Sequence, residues 1–156
     1  MGILLVRHAR AGQRHRWEGD DRLRPLSKKG RVQAEALPIL LEPWTAAHPP
    51  VLVSSPWVRC LETLGPLSSA LGAPIEADDV LGEGMGAKAV EALGRWVSSI
   101  PTVLCSHGDV IGEILGFLQA GGLDLGPDPG AAKGSVWVLE GSRGQVRRAR
   151  YLPPSG

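Results

Sequence analysis

Three short apolar runs, Ile3-Leu4-Leu5-Val6, Val51-Leu52-Val53 and Thr102-Val103-Leu104-Cys105, are each followed, after a turn or loop, by a stretch whose apolar residues recur at helical spacing. Strand alternating with helix in this way implies a mainly parallel sheet covered on both faces. Near the end, Val136-Trp137-Val138-Leu139 and Val146 to Tyr151 flank Gly141 to Gly144, the pattern of a closing hairpin. The expected architecture is therefore α/β: a three-layer α/β/α sandwich with an antiparallel edge. No internal repeat or domain-scale linker interrupts residues 1–156, which read as a single domain.

Local signals place the remaining elements. Residues 9–26 read as a polar loop, and Ser27 is a suitable N-cap for the helix marked by Val32, Ala36, Leu37, Leu40 and Leu41. Pro38 and Pro43 should bend or shorten that helix, and His48-Pro49-Pro50 should end it. Pro56 is expected near the first position of a helix with Leu61, Leu64, Leu67 and Leu71 as its buried stripe, kinked at Pro66. A short strand is expected over Ala73 to Glu76 and a loop over Gly82 to Gly86. Val90, Leu93, Val97 and Ile100 mark one further amphipathic helix, and Val110, Ile111, Ile114, Leu115 and Leu118 another. Residues 120–134 read as a loop rich in Gly, Pro and Asp.

Bulk properties exclude several classes. A net charge of +1 gives no global attraction to nucleic acid or membrane, and no uncharged stretch is long enough to span a bilayer. Two cysteines, Cys60 and Cys105, do not make a disulfide framework; they read as small buried thiols in a reducing cytosol, so a cytoplasmic location is expected. The basic residues are unevenly placed: six arginines fall between Arg7 and Arg24. That segment is either a solvated loop or a rim that attracts anions.

The chemistry sits at the carboxyl ends of the runs, where open α/β sheets bind ligands. The first run delivers Arg7-His8 and the third delivers Ser106-His107-Gly108. A neutral imidazole can attack phosphorus and carry the phosphoryl group, so His8 is the candidate nucleophile. Neighbouring arginines disfavour the imidazolium and keep the lone pair available. Arg7 and Arg59 are candidates for a phosphate clamp, because a guanidinium offers a planar fork that never loses its charge. His107 would be a second phosphate-contacting imidazole. Gly108 would let backbone approach the ligand at a helix start, and Arg10 would contact substrate from the basic loop. Leaving-group protonation needs an acid, for which Glu83 is the first candidate and Asp109, Asp78 and Asp79 are weaker ones.

Other chemistries lack their residues. Neither cysteine has an arginine at the spacing of a Cys-x5-Arg loop, there is no Walker loop, and no Asp-rich pair suits two metals. His8 and His107 have no third ligand for a metal, so no metal or cofactor is expected.

Taken together, these residues resemble the histidine phosphatase superfamily, which includes the phosphoglycerate mutases. Arg7-His8-Ala9 resembles its Arg-His-Gly signature with alanine in place of glycine. Ser54-Ser55-Pro56-Trp57-Val58-Arg59-Cys60-Leu61-Glu62-Thr63 resembles its Ser-Ser-Pro-x-x-Arg-x-x-x-Thr segment, and Ser106-His107-Gly108 resembles its second histidine motif. Arg24-Pro25-Leu26-Ser27 with Gly30 and Gln33-Ala34 is similar to the short SixA-like phosphohistidine phosphatases. Residues 7–12 with Gly19-Asp20-Asp21 look like the phosphatase-like domain found behind Nudix domains in some actinobacterial proteins, although no Nudix box is present.

The resemblance implies a phosphoglycerate mutase-like fold and a phosphohistidine intermediate on His8. It implies Arg7, Arg59 and His107 as phosphoryl ligands and Glu83 as acid. The expected activity is metal-independent hydrolysis of a phosphomonoester or phosphohistidine on a small molecule or phosphoprotein. A nucleotide-directed phosphatase and a non-catalytic phospholigand-binding module of the same fold are the alternatives. Insertions that enclose a mutase substrate have little room in this length. Trp17 is the tryptophan expected to meet substrate.

Overall fold

The computed structural model describes residues 1–127 and 129–155. Its strands are β1 (Gly2–Arg7), β2 (Val51–Ser54), β3 (Ile75–Ala77), β4 (Thr102–Ser106), β5 (Val136–Ser142) and β6 (Gln145–Leu152). Its helices are α1 (Lys28–Leu40), α2 (Glu42–Thr45), α3 (Val58–Leu71), α4 (Gly86–Trp96) and α5 (Gly108–Ala120). The strands form one sheet in the order β3-β2-β4-β1-β5-β6. The first four run parallel, β5 is antiparallel to β1, and β6 is antiparallel to β5.

Side-chain alternation along the strands divides the core in two. Ile3, Leu5, Val53 and Leu104 pack on one face with Leu93 of α4 and Ile111, Ile114 and Leu115 of α5. Leu4, Val6, Leu52 and Val103 pack on the other with Leu37 of α1 and Leu64 and Leu67 of α3. The sheet thus lies between two helical layers, the α/β/α sandwich with an antiparallel edge that the apolar pattern predicts. Removing each of these leucines from water contributes ~1.5–3 kcal/mol.

This topology positions a crevice. β1 and β4 are neighbours, but the helices that follow them, α1 and α5, lie on opposite faces. The chain therefore diverges beyond their carboxyl ends and leaves an opening there. The register Arg7↔Ser106 brings the next residues, His8 and His107, to the same level, and the His8 amide donates to the Ser106 carbonyl at 3.0 Å.

Several boundaries differ from the sequence expectation, for local reasons. Pro56 is not in the first turn of α3: Trp57 is the N-cap and the helix begins at Val58. The buried face of α3 is Arg59, Cys60, Thr63, Leu64 and Leu67, so Leu61 and Leu71 lie at its margin. The third strand starts at Ile75 rather than Ala73. Ile100 is exposed beyond the end of α4, because Val97 has already left the helical region. The 9–26 loop contains 3₁₀ turns at Arg14–Arg16 and Asp21–Leu23. Pro38 sits inside α1, and Pro43 opens the separate short helix α2. Ser27 caps α1 as expected, accepting from the Gly30 amide at 3.1 Å. Within the expected 120–134 loop, Asp128 lies outside the described residues, as does Gly156 of the expected single domain. No helix among the described residues is long and apolar enough to cross a membrane.

Candidate active site

His8 leaves the end of β1 with only 6% of its surface exposed. Its Nδ1 lies 2.8 Å from the Ala9 carbonyl oxygen. A carbonyl can only accept, so Nδ1 carries the proton and the free lone pair is on Nε2. The pKa falls from 6.5 to about 3, chiefly through burial, with the charges of His107, Arg59 and Arg7 adding to it and the Ala9 hydrogen bond opposing it. The neutral ring expected from the sequence is thus maintained. Alanine at position 9 costs no backbone strain, since its φ is not positive, and its methyl group packs with Leu26 and Ala34.

His107 faces His8 edge to face, with ring centroids 5.4 Å apart. The Ser55 hydroxyl accepts the Trp57 amide at 3.2 Å, so its own proton can go to Nε2 of His107, 2.8 Å away. With the Ser55 proton directed to Nε2, Nδ1 of His107 would carry the ring proton. It is buried without a partner among the described residues. The Trp57 ring meets His107 at 5.3 Å, and a side chain at Gly82 would strike that same indole. Tryptophan at the site is therefore Trp57. Trp17, expected there, instead donates to the Asp20 carbonyl in the outer loop.

Arg59 is fully buried in the first turn of α3. Its guanidinium donates to the Asp21 carbonyl at 3.0 Å, and its Nη2 lies 3.2 Å from Asp21 Oδ2 and 3.1 Å from Glu83 Oε1. Thr63, one turn later, explains the Arg-x-x-x-Thr spacing. Its hydroxyl accepts the Ala9 amide at 3.0 Å and donates to the Arg59 carbonyl at 2.6 Å. One side chain thereby ties the backbone after His8 to the helix that carries Arg59.

Glu83 is on a loop anchored at both sides. The Ser106 hydroxyl donates to the Leu81 carbonyl at 2.6 Å, and the Gly84 amide donates to Asp109 at 2.8 Å. Besides Arg59, Glu83 Oε1 meets Arg14 Nη2 at 2.8 Å and lies 3.9 Å from His107 Nδ1. Asp21 is held below its ordinary carboxylate range: burial pushes it up, but the Arg24 hydrogen bond and the charges of Arg59, Arg24 and Arg14 outweigh that.

Arg7 donates from Nη1 to the Ala131 carbonyl at 2.7 Å, while its Nε is buried and unpartnered among the described residues. Gly108 opens α5 beside this guanidinium, and a Cβ there would stand 2.9 Å from its Cζ. Arg7, His8, Glu83, Gly108 and Lys133 line one cleft of about 770 Å³. Arg10 is exposed just outside it and borders an adjoining cleft. A further groove of about 830 Å³, between α4, α5 and the β5–β6 turn, lies at the opposite end of the strands.

The structure thus brings His8, His107, Arg7, Arg59, Glu83 and Gly108 to one crevice, with Arg10 at its edge. Asp109 is also there, bound to the Glu83 loop, whereas Asp78 pairs with Arg95 and Asp79 borders the neighbouring hollow beside Trp57. Among the described residues, no group of three or more His, Cys, Asp or Glu side chains is placed to hold a metal ion. Cys60 and Cys105 are buried and free, with Cys60 Sγ 3.6 Å from His107 Nε2. Sequence reasoning missed Asp21, Arg14 and Lys133. The first two carry only the generic signal of a charged loop, and Lys133 lies in a stretch without periodicity.

Residues 3–92 match the sequence profile of the histidine phosphatase superfamily (branch 1), and the chain belongs to that family. An 8-oxo-(d)GTP phosphatase of Mycolicibacterium smegmatis is 36% identical over 157 residues, covering 97% of this chain and 48% of that protein. The chain therefore spans about half the length of this curated relative. The protein histidine phosphatase SixA complexed with tungstate superposes with a TM-score of 0.74 at 17% identity, covering 99% of this chain and 96% of that one. The putative phosphohistidine phosphatase SixA from Agrobacterium tumefaciens gives 0.73 at 19% identity, covering 99% and 97%. The fold is thus the SixA-like form of this phosphatase superfamily.

Proposed function

We propose that residues 1–156 act as one domain that hydrolyses a phosphate ester in two steps through a phosphohistidine on His8. The observation that carries this reading concerns unsatisfied polar atoms. Buried donors are almost always paired. Among the described residues, the unpaired buried side-chain polar atoms are Ser135 Oγ and one nitrogen each on Arg7, Arg59 and His107, the three groups whose charges act on the His8 ring. A tetrahedral oxyanion seated among them supplies the missing acceptors.

The chemistry follows from the tautomer. Nε2 of His8 attacks phosphorus, and the N–P bond forms as the bond to the leaving oxygen breaks. The proton that the substrate's phosphate monoanion carries in passes to Glu83, which gives it to that oxygen. The Ala9 carbonyl, bound to Nδ1–H, stabilises the positive charge that the phosphorylated ring carries. Water then attacks phosphorus, Glu83 takes a proton from it, the N–P bond breaks, and inorganic phosphate leaves. Arg7, Arg59 and His107 hold the equatorial oxygens, so positioning and charge neutralisation supply most of the acceleration. No metal takes part in these steps, and the two free thiols suit a reducing cytoplasm.

For the substrate, a nucleotide is favoured over a phosphoprotein. The 36%-identical relative is named for a nucleotide, whereas the likeness to phosphohistidine phosphatases is one of fold. The test is a rapid quench with a labelled phosphomonoester, followed by a panel of nucleotides and a phosphohistidine protein, with and without chelator. An acid-labile phosphoprotein formed by wild type and absent from His8→Ala supports the reading. A wild-type protein that binds phosphate but never becomes labelled is a binding module and overturns it.

A further inference from the structure

One rim of the crevice carries more positive charge than a single phosphoryl group needs. Lys133 borders both the cleft that contains His8 and an adjoining cleft of about 530 Å³ lined by Arg10, Lys29 and Gln33. Among the described residues, no carboxylate lines the second cleft. Among the described residues, Arg7, Arg10, Lys29 and Lys133 have no carboxylate within 4.0 Å. Arg14, Arg22, Arg24 and Arg59 all have one. The acids of the site are engaged elsewhere: Glu83 with Arg59 and Arg14, Asp21 with Arg24 and Arg59, and Asp109 with the Gly84 amide.

The cationic rim is built rather than incidental. Gln33 of α1 is 5% exposed. Its Oε1 accepts the Arg10 amide at 3.0 Å, and its Nε2 donates to the Lys133 carbonyl at 3.3 Å. One buried amide thus fastens two loops, a hundred residues apart for Lys133, so that their cations border one opening. Gly134, at φ 83°, makes this approach feasible: a Cβ there would stand 3.0 Å from the Gln33 amide carbon. Its own N–H donates to the Arg7 and His8 carbonyls at 3.2 and 3.1 Å, which ties Lys133 to the reacting strand end. Lys133 is surrounded by like charge, and its ammonium is pushed below the ordinary lysine range by burial and by Arg7, Arg24, Arg10 and Arg59.

We propose that Lys133, with Arg10 and Lys29, forms a second anion subsite that takes a further phosphate of the substrate, beside the phosphoryl group held at His8. This rests on the phosphatase reading above and extends it to the substrate's second charged group. A diphosphate chain and a separate phosphate on the same molecule share this chemistry. Each would give the uncompensated cations charge-assisted hydrogen bonds that a monophosphate cannot.

The test uses calorimetric binding of inorganic orthophosphate and pyrophosphate to the whole chain, for wild type, Lys133→Gln, Lys133→Arg and Lys88→Gln. Lys88 is exposed on α4, lines none of the clefts around the site, and controls for net charge. Wild type should prefer pyrophosphate by about tenfold or more, the worth of one hydrogen bond to a charged group. Lys133→Gln should lose that margin, Lys133→Arg should keep most of it, and Lys88→Gln should match wild type. Equal affinity of wild type for the two anions, a margin in Lys133→Gln within threefold of wild type, or the same loss in Lys88→Gln overturns the proposal. Turnover of a nucleoside 5′-diphosphate and of a 3′,5′-bisphosphate, each against the 5′-monophosphate, then tells chain from separate phosphate. Absence of any phosphoenzyme with the pyrophosphate margin intact would sink the phosphatase reading and leave the subsite standing.

Discussion

Glu83 rests with Oε1 3.1 Å from Nη2 of Arg59, on the guanidinium expected to grip a phosphate. A carboxylate thus occupies part of the guanidinium fork, which an entering phosphoryl group must displace or share. In the proposed reaction, that exchange frees Glu83 from Arg59 to serve the leaving oxygen.

Glu83→Gln should therefore act according to the leaving group. Turnover of an alkyl phosphate should fall by ~10²–10⁴-fold, the usual worth of a general acid. Turnover of p-nitrophenyl phosphate should fall far less, since that leaving group departs without a proton. Steady-state kcat for the two substrates measures this, and an equal loss on both would assign Glu83 to binding alone.

His8 makes a distinct prediction about pH and stability. Its pKa is about 3 in the folded protein, against an ordinary 6.5. Between those values the unfolded chain binds a proton that the folded chain refuses, so stability rises with pH across this window. Acidification from pH 7 toward pH 3 should remove roughly 4–5 kcal/mol through this one group. In His8→Gln that part of the slope should be absent, as urea midpoints measured over the same range will show. Activity should not titrate with His8 protonation near pH 6.

Thr63 joins two functional backbones through one hydroxyl. Thr63→Val leaves the Ala9 N–H and the Arg59 carbonyl without this partner in a fully buried place. The expected cost is ~1–3 kcal/mol of stability. The kcat should drop because His8 and Arg59 lose their common support. Thr63→Ser should restore both. Denaturant titration alongside kcat separates the two effects.

Gly108→Ala probes Arg7. The added methyl would stand 2.9 Å from the Arg7 Cζ and Nη2, so the guanidinium must move while α5 can still form. Misplacing a positioning group by about 1 Å can cost ~10²-fold, and kcat/KM should fall by up to that amount with little change in thermal midpoint.

The layered α/β/α architecture was legible because burial on both faces leaves a local trace: short apolar runs for strands, and stripes at helical spacing between them. The closing hairpin was legible for the same reason, with Arg143 and Gly144 taking the positive φ values of 52° and 76° that a two-residue turn needs. Element ends were less legible. Pro56 suggested a helix start that the chain delays to Val58, because Ser55 and Trp57 are engaged with His107 instead.

By itself, the sequence determined which faces are buried and that a histidine follows each of two strands, since hydrophobic period and motif spacing are properties of neighbouring residues. Only tertiary structure decided that the Arg7↔Ser106 register sets His8 beside His107, that Thr63 fastens Ala9 to Arg59, and that Gln33 draws Lys133 to the rim. These contacts join segments tens of residues apart. Their partners are chosen by how the helical layers pack on the sheet and by which buried polar atoms must be satisfied, and no local pattern encodes that choice.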